Sequence, residues 1–491
     1  MKAIFKQLGK DSLIYGVGGI LGKGIGLFLL PIYTRIFNPA EYGILELLVV
    51  IGSFVGSIVV MGMDAAQSFY FFEQKENGQE AQANVVTAIL QWRISYGMGI
   101  LIIAILISPV LNRYFFNGQL SWQYFAVGFT GIFCFQIMNQ SAEIFRLLYR
   151  PVGYIAISLG QTIVSAAVGL LLILGFGYGI LGFLWGSLIG ALLLAVLGWY
   201  RLRVYLQWSK WHLDWWPRLV KFGAPLVPAA VAMYVLNVSD RWFISYFSGA
   251  EALGIFAVGA KFAMLIIMAV TVFRQAWWPV AMEVMHRDEG PALYRTIGRL
   301  YLGCGSAAIV LITALSPTLV AWFAAPAYAS AYPIVGVLSW YSIFYGFYLI
   351  GSAGIWKAEK TAWSSILMGF AALVNIGLNY CLVPRYGGLG AAIATSTSFG
   401  IWNLLTLIVS ERLWPVGYAY AALGAQLAVG LATCALILIL YHHHAPFWTV
   451  WAFALVAVFL LLTLSASKEH LGKIMTLASR KVGATVGQII I

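Results

Sequence analysis

Charged side chains are scarce in this chain of 491 residues. Asp, Glu, Lys and Arg fill 9% of the positions, whereas a soluble chain carries roughly a quarter. Hydrophobic residues fill 62% of the positions, and they occur in runs of about 20, the length that crosses a bilayer. The scarcity of charge excludes an ordinary soluble protein and predicts an all-α polytopic membrane protein.

Cysteine is also rare, and no catalytic motif is present. The four cysteines lie singly inside apolar runs, which is typical of small buried side chains rather than of disulfides or metal ligands. No Walker motif, HExxH, nucleophile elbow or CxxC occurs, so we expect no enzyme activity, no catalytic residue, no cofactor and no metal. The histidines at 442–444 are expected in an exposed polar turn, with a metal site as the alternative. The first apolar run is too long for a cleavable signal.

Apolar runs of about 20 residues predict about fourteen transmembrane helices. They lie near residues 12–35, 41–65, 84–107, 122–145, 154–174, 179–199, 217–243, 251–276, 292–316, 332–355, 361–382, 388–409, 416–440 and 447–466. The loops between them are short and leave no room for a catalytic domain outside the membrane.

The distribution of Lys and Arg predicts the orientation of these helices. With the N-terminus in the cytoplasm, 23 of the 29 basic residues lie on the cytoplasmic side and 4 on the outer side. Both termini are then cytoplasmic, including a tail at 467–491. The net charge of +12 follows from this asymmetry and requires no nucleic-acid partner. The two basic residues that remain, Lys23 and Lys261, fall inside predicted membrane helices.

An internal duplication organises the chain. Residues 37–44 resemble residues 247–255, and residues 178–182 resemble 386–390, at spacings between 208 and 211. The duplication predicts two parallel-repeat six-helix lobes, 1–205 and 215–412, followed by two additional helices within 413–466. In both copies of the first motif, the polar residue and the Glu three positions later, as in Asn38 and Glu41, are typical of a capping box.

Lys23 and Lys261 are the candidate substrate-binding residues. A charge inside a bilayer costs at least about 2.5 kcal/mol, so such residues usually line a cavity or a substrate path. At 1.5 Å per residue, Lys23 lies about 17 Å from the cytoplasmic end of its helix, and Lys261 lies about 15 Å from the outer end of its own. Two ammonium groups near the midplane without a neighbouring acid indicate a site for a multivalent anion, either phosphate or diphosphate. Snorkelling of Lys23 to the interface is the alternative.

Several polar residues are further candidates. Glu46 and Asp64 share one face of the second predicted helix, Glu143 lies in the fourth, and Asn237, Asp240 and Arg241 lie near the outer end of the seventh. They are candidates for gating or ion coupling, with structural salt bridges as the alternative. Because adjacent helical residues point apart, Asp240 and Arg241 are expected to have separate partners. Tyr341, Tyr345 and Tyr348 form an aromatic row for sugar contact, with a packed or lipid-facing stripe as the alternative.

The chain resembles the polysaccharide repeat-unit flippases, which transport O-antigen and capsule units. The resemblance is carried by residues 30–35 and 37–43 and by Asp240-Arg241 at the end of the seventh helix. These flippases belong to the multidrug/oligosaccharidyl-lipid/polysaccharide exporter superfamily, which includes multidrug transporters and the lipid II flippase. The resemblance implies two six-helix lobes that alternate between inward- and outward-facing states. The chain departs from the lipid II branch at Glu46, since that branch has a cavity arginine in its second helix.

The resemblance implies a flippase that moves an undecaprenyl-diphosphate-linked oligosaccharide from the cytoplasmic to the outer leaflet of the bacterial inner membrane. Its implied partners are this lipid-linked substrate, membrane lipid and a coupling ion, H⁺ or Na⁺, and association with polysaccharide polymerase machinery is also expected. Lys23 and Lys261 correspond by helix and depth to cations that are held to contact the diphosphate in the lipid II flippase. The alternatives are a multidrug or cation antiporter, a lipid II flippase and, from another class, a membrane glycan polymerase or ligase.

Overall fold

A computed structural model describes residues 22, 24–208 and 211–465. This part of the chain consists of helices and short connections and contains no β-strand. The all-α class predicted from the apolar runs is confirmed for these residues.

The helices follow one another with short connections. Their bounds are α1 Gly24–Ile36, α2 Pro39–Val60, α3 Met63–Glu73, α4 Gln79–Phe116, α5 Trp122–Leu147, α6 Pro151–Leu170, α7 Gly179–Arg201, α8 Trp216–Gly223, α9 Val227–Val284, α10 Gly290–Phe323, α11 Tyr332–Gly351, α12 Ala353–Lys357, α13 Ala362–Leu413, α14 Tyr420–His442 and α15 Phe447–Ser465. A π-helical turn, Leu171–Gly175, ends α6, and 3₁₀ turns lie at Arg203–Tyr205, Leu213–Trp215, Ala224–Leu226 and Pro326–Ala331.

Ten helical segments within the described residues are long and apolar enough to cross a membrane, as expected of a multi-pass membrane protein. Two of the helices, α9 and α13, contain a residue with non-helical backbone angles: Gly249 in α9, where φ is 84°, and Gly387 in α13, where φ is 53°. Both glycines lie where the hydropathy pattern predicts a boundary between two spans. The total of fourteen spans stays a prediction, since part of the first span lies outside the described residues.

The second predicted span, 41–65, is not one continuous helix. Met61 and Gly62 have left-handed φ angles of 45° and 72°, and they separate α2 from α3. A Cβ atom added to Gly62 would lie 2.6 Å from the carbonyl oxygen of Gly223. Glycine is therefore needed at position 62 both for its φ angle and for this close backbone approach. The sequence prediction was wrong here because the hydropathy is continuous across the break.

The turn before α2 has the predicted capping box. The backbone N–H of Glu41 donates to Asn38 Oδ1 at 2.9 Å, and the backbone N–H of Asn38 donates to Glu41 Oε2 at 3.0 Å. The corresponding pair in the second repeat, Ser248 and Glu251, makes no such bonds, and the left-handed Gly249 makes the turn instead. Glu41 is therefore a structural residue, as the pattern indicated.

The chain forms two compact units. The first comprises Met1–Ala257, Phe323–Tyr328 and Val383–Gly388. One part of its core lies among α4, α5 and α7 and includes Leu90, Met138 and Leu194. The second unit comprises the remaining segments up to Ile491. The border between the two units differs from the predicted border between the two lobes near 205–215. The predicted lobes are defined by the sequence duplication, and this division of the chain stays a prediction.

The two additional helices pack within the second unit. In α14, the Gln426 side chain donates to the carbonyl oxygen of Arg299 in α10 at 3.2 Å and to the Ser465 hydroxyl of α15 at 3.0 Å. Arg299 Nε donates in turn to the carbonyl oxygen of Leu464 at 2.6 Å. These bonds tie the last turn of α15 to the rest of the second unit.

Candidate functional site

The two copies of the duplicated motif touch each other within the first unit. A Cβ atom added to Gly43 would lie 1.8 Å from the carbonyl oxygen of Ala250, and one added to Gly254 would lie 1.9 Å from that of Pro39. Pro39 and Ala250, like Gly43 and Gly254, are 211 positions apart. The contact is therefore reciprocal, and each first turn packs backbone to backbone on its counterpart. Only glycine permits this approach on either side.

A charged cluster lies on the same two helices, α2 and α9. Arg241 Nη1 bonds Asp240 Oδ1 at 2.7 Å, and Arg241 Nε lies 3.5 Å from Glu46 Oε1. Asp240 has 2% of its side chain exposed, and the other two have 17% each. The expectation that Asp240 and Arg241 have separate partners was wrong, because the long arginine side chain folds back onto its neighbour. The predicted candidate Asn237 contributes its backbone carbonyl, which accepts from Arg241 Nη1 at 3.0 Å.

Aromatic rings surround this cluster. The Arg241 guanidinium lies over the buried ring of Phe256, 5.3 Å from its centroid. Tyr234 Oη donates to the carbonyl oxygen of Val50 at 2.6 Å, and Tyr328 Oη donates to that of Phe37 at 2.8 Å. Because the three charged side chains are at most 17% exposed, their electrostatic interactions are less screened than those of surface pairs. The contact at Gly43 and Gly254, the ion cluster around Arg241 and these aromatic rings together form what we call the motif junction.

A second charged cluster lies among α3, α4 and α5. Arg93 is fully buried, and its Nη2 donates to Asp64 Oδ1 at 2.6 Å while its Nη1 donates to the carbonyl oxygen of Gln136 at 2.9 Å. Asp64 has 39% of its side chain exposed. Glu143 pairs with Arg146 at 2.5 Å on α5. Arg93 is not among the candidate residues predicted from the sequence, although its place between apolar residues of α4 is a signal of burial.

Lys261 differs from the acidic candidates because its ammonium has no carboxylate partner. It lies on α9 in the second unit, is partly exposed, and makes no ion pair or hydrogen bond with any residue that the structure describes. One and two turns further on, Met264 and Met268 are also partly exposed, so an apolar, accessible strip continues from the lysine. Lys23, its proposed companion, lies outside the described residues.

The tyrosine row on α11 packs against one neighbouring helix. Tyr341 and Tyr345 contact the ring of Phe399, with centroids 5.4 and 6.4 Å away, and Tyr348 stacks on Trp402 at 4.4 Å. All three tyrosines stay partly exposed. In addition, Arg274 Nη1 donates to Tyr345 Oη at 2.8 Å. The row is thus a packed aromatic face with accessible edges.

The histidines at 442–444 are exposed: His442 ends α14, and the other two form the turn after it, close to the expected exposed polar turn. Within the described ranges, no group of three or more His, Cys, Asp or Glu side chains is placed to hold a metal ion.

Comparisons with known proteins agree on family and fold. The family described as polysaccharide biosynthesis protein matches residues 8–285. No curated protein sequence matches the chain. Among solved structures, lipid II flippase MurJ in an inward closed conformation is similar, with a TM-score of 0.72, 15% identity, and coverage of 92% of this chain and 98% of that chain.

Two other transporters of the MOP superfamily are similar to a lesser degree. An inward-facing multidrug resistance MATE family transporter of the MOP superfamily has a TM-score of 0.59 and 14% identity, covering 79% of this chain and 94% of that one. A MOP superfamily transporter from Pyrococcus furiosus has a TM-score of 0.58 and 16% identity, covering 84% and 96%. Identities this low establish the fold alone. Since the family match spans more than half of the residues, the chain belongs to the polysaccharide biosynthesis protein family, with the fold of MurJ and the MATE transporters.

Proposed function

We propose that the protein is a flippase that moves an undecaprenyl-diphosphate-linked oligosaccharide from the cytoplasmic to the outer leaflet of the bacterial inner membrane by alternating access. Membership of the polysaccharide biosynthesis family supports a glycan substrate. The similarity to the fold of the lipid II flippase MurJ supports a lipid-linked one.

The main support for an anionic substrate is that the acidic candidate residues are paired with arginines whereas Lys261 is not paired with a carboxylate within the described residues. Each acidic candidate has an arginine partner: Glu46 and Asp240 share Arg241, Asp64 pairs with Arg93, and Glu143 pairs with Arg146. Lys261, in contrast, has no carboxylate partner among the described residues. A cation or drug antiporter needs an acidic group available for its cargo. An available ammonium with paired carboxylates instead favours an anionic cargo, and a diphosphate offers several oxygens to such a cation.

In the proposed mechanism, Lys261 and Lys23 hold the diphosphate from two helices. The accessible edges of Tyr341, Tyr345 and Tyr348 contact the sugars, because aromatic rings provide flat apolar surfaces with a polar group at one end. Asp64, partly exposed beside a buried arginine, is the proposed site of ion coupling.

The motif junction is the proposed gate at the predicted outer end. Its two helices belong to different copies of the duplication, so their separation would open a path between the copies. The contact consists of backbone approach at Gly43 and Gly254 and of the Arg241 cluster. The backbone approach and the Glu46–Arg241 pair both require the helices to be close, and both are lost together when the helices separate.

The test is transport by variants of Lys261. In proteoliposomes with a fluorescent lipid-linked oligosaccharide, we expect Lys261→Ala to lower the flipping rate about 10- to 100-fold. This range corresponds to the loss of one charge-assisted hydrogen bond of about 1.5–3 kcal/mol. Lys261→Arg should keep more activity than Lys261→Glu. Lys75→Ala is the matched control, since Lys75 is exposed in the turn after α3.

Two outcomes would contradict the proposal. Unchanged flipping by Lys261→Ala would exclude a role of this ammonium in substrate binding. Proton-driven efflux of a cationic dye by the unmodified protein, without flipping of the lipid-linked oligosaccharide, would favour the antiporter.

A further inference from the structure

The segment between α7 and α9 has a composition unlike that of the other connections. Residues 202–226 contain four tryptophans and four basic residues but a single acid, Asp214. The segment includes the 3₁₀ turn Arg203–Tyr205, the short helix α8 and the 3₁₀ turn Ala224–Leu226. We call the described part of residues 203–226 the linker strap. The proposed transport mechanism uses none of its side chains.

One face of the linker strap is fixed to the first unit. Leu219 is fully buried in a cluster with Met63, Val85 and Ile89. The ring of Phe222 stacks on Phe69 with centroids 5.0 Å apart. These contacts involve α3 and α4, so the strap lies on the ends of these helices rather than extending freely.

Backbone contacts also fix the strap. The backbone N–H of Gln207 donates to the Thr87 hydroxyl at 2.9 Å, and that of His212 donates to Gln91 Oε1 at 2.9 Å. A Cβ atom on Gly223 would lie 2.6 Å from the carbonyl oxygen of Met61, the residue at the break between α2 and α3. The orientation of the strap relative to the membrane helices of the first unit is therefore defined.

The opposite face of the strap exposes large apolar side chains. Trp208, Trp211 and Leu213 each have more than half of their surface exposed, and Val204 has 61% exposed. Tryptophan and leucine of an amphipathic segment are typical of the boundary between headgroups and acyl chains, where an apolar ring and a polar N–H are both satisfied.

Basic side chains lie beside these apolar ones. Arg203, Arg218 and Lys221 are exposed, and none of them pairs with a carboxylate in the part of the chain that the structure describes. The two guanidinium groups lie over aromatic rings, Arg203 over Tyr200 at 5.1 Å and Arg218 over Trp215 at 5.7 Å. Stacking holds them near the apolar side chains while their N–H groups stay available to an anion.

We propose that the linker strap binds the headgroups of anionic phospholipids at the membrane surface. Its tryptophans and leucine enter the headgroup boundary while its arginines and lysine contact the phosphates. Charge complementarity selects this occupant, because phosphatidylglycerol presents a net negative phosphate whereas phosphatidylcholine cancels its phosphate with a choline. The predicted orientation places the strap at the cytoplasmic leaflet, whose anionic lipids attract basic segments.

The proposal is tested by native mass spectrometry of the full-length protein, titrated separately with phosphatidylglycerol and phosphatidylcholine. We expect the wild-type protein to bind phosphatidylglycerol more tightly. Arg218→Gln/Lys221→Gln should weaken this binding about 25-fold, at about fivefold per basic residue near an anionic surface. The control Arg113→Gln/Arg385→Gln removes the same amount of positive charge from two exposed positions outside the linker strap. It should change the affinity for phosphatidylglycerol less than twofold.

A charge-conserving variant separates binding from folding. Arg218→Lys/Lys221→Arg should bind phosphatidylglycerol nearly as the wild type does, whereas a merely structural role of these side chains would lower the affinity in both pairs of variants. Equal wild-type affinity for the two lipids would overturn the proposal. Equal weakening by the strap and control pairs would also overturn it, because the attraction would then come from overall charge. The proposal would also be overturned if Arg218→Gln/Lys221→Gln bound phosphatidylglycerol as the wild type does but lost an associated acidic protein.

Discussion

Alanine at Gly43 should separate the two helices of the motif junction. The new Cβ atom would lie 1.8 Å from the carbonyl oxygen of Ala250, and ordinary contacts of a Cβ begin near 3.4 Å. The backbones must therefore move apart by about 1.6 Å, since neither partner is a flexible side chain. The Glu46–Arg241 distance is already 3.5 Å, so a shift of this size takes the pair beyond the range of a salt bridge.

The energetic cost of this overpacking is about 1–3 kcal/mol. Because the cost falls only on the state in which the junction is closed, the population should shift toward the open state. A bias of about 1.4 kcal/mol changes the ratio of the two states tenfold. We therefore expect Gly43→Ala to raise the labelling rate of a cysteine at Ser239, which is 8% exposed, by about tenfold. The labelling is done in a variant in which the four native cysteines have been replaced, so that the cysteine at position 239 is the only one.

Gly99→Ala is the matched control, because a Cβ at this α4 position meets no atom within 4 Å. It should leave the labelling rate unchanged. Gly254→Ala should act as Gly43→Ala does, and the double variant should add little, because either alanine already separates the same contact. Labelling of Gly43→Ala at the control rate would refute the idea that this glycine holds the junction closed.

Two further variants test the charged clusters. Asp64→Asn should destabilise the protein by about 3 kcal/mol, measured as thermal unfolding in detergent, because it leaves the buried Arg93 charge unpaired. Asp64→Asn/Arg93→Met should recover most of this loss, and a double variant as unstable as the single one would contradict the pairing argument. Arg241→Gln should increase the labelling rate of the cysteine at position 239, because it leaves the buried Asp240 unpaired. The control Arg113→Gln, at an exposed position, should not increase this rate. Equal labelling rates in the two variants would exclude an electrostatic role of Arg241 at the motif junction.

Local patterns predicted the parts of the fold that local forces determine. The capping box at Asn38 and Glu41 lies within four residues of sequence, and the structure has both of its bonds. The boundaries inside α9 and α13 were placed correctly because glycine with a positive φ interrupts an apolar run at each of them. In these cases the residues that set the structure are neighbours in the chain.

Features that depend on distant segments were missed. The break at Met61–Gly62 lies in a continuous apolar run, and its cause is the approach of Gly223, 161 positions away. Arg93 is absent from the predicted site residues, because its burial depends on where α3 and α5 pack. The directions of the Cβ atoms in a helix predicted that Asp240 and Arg241 do not pair. This geometry does not limit where the guanidinium group of a long arginine side chain lies, and the two side chains form an ion pair.

The construction of the motif junction suits a contact that must break in every cycle. A gate closed by interlocking side chains would bury much apolar surface and open slowly, at about 0.8 kcal/mol per buried CH₂ group. At Gly43 and Gly254 the contact is between backbones without side chains, supplemented by one arginine shared between two carboxylates. When the helices separate, Asp240 keeps its bond to the adjacent Arg241, so within the ion cluster only the longer pair to Glu46 is lost. The ion cluster therefore resists opening weakly, because the buried Asp240 keeps its partner and only the partly exposed Glu46 loses its own.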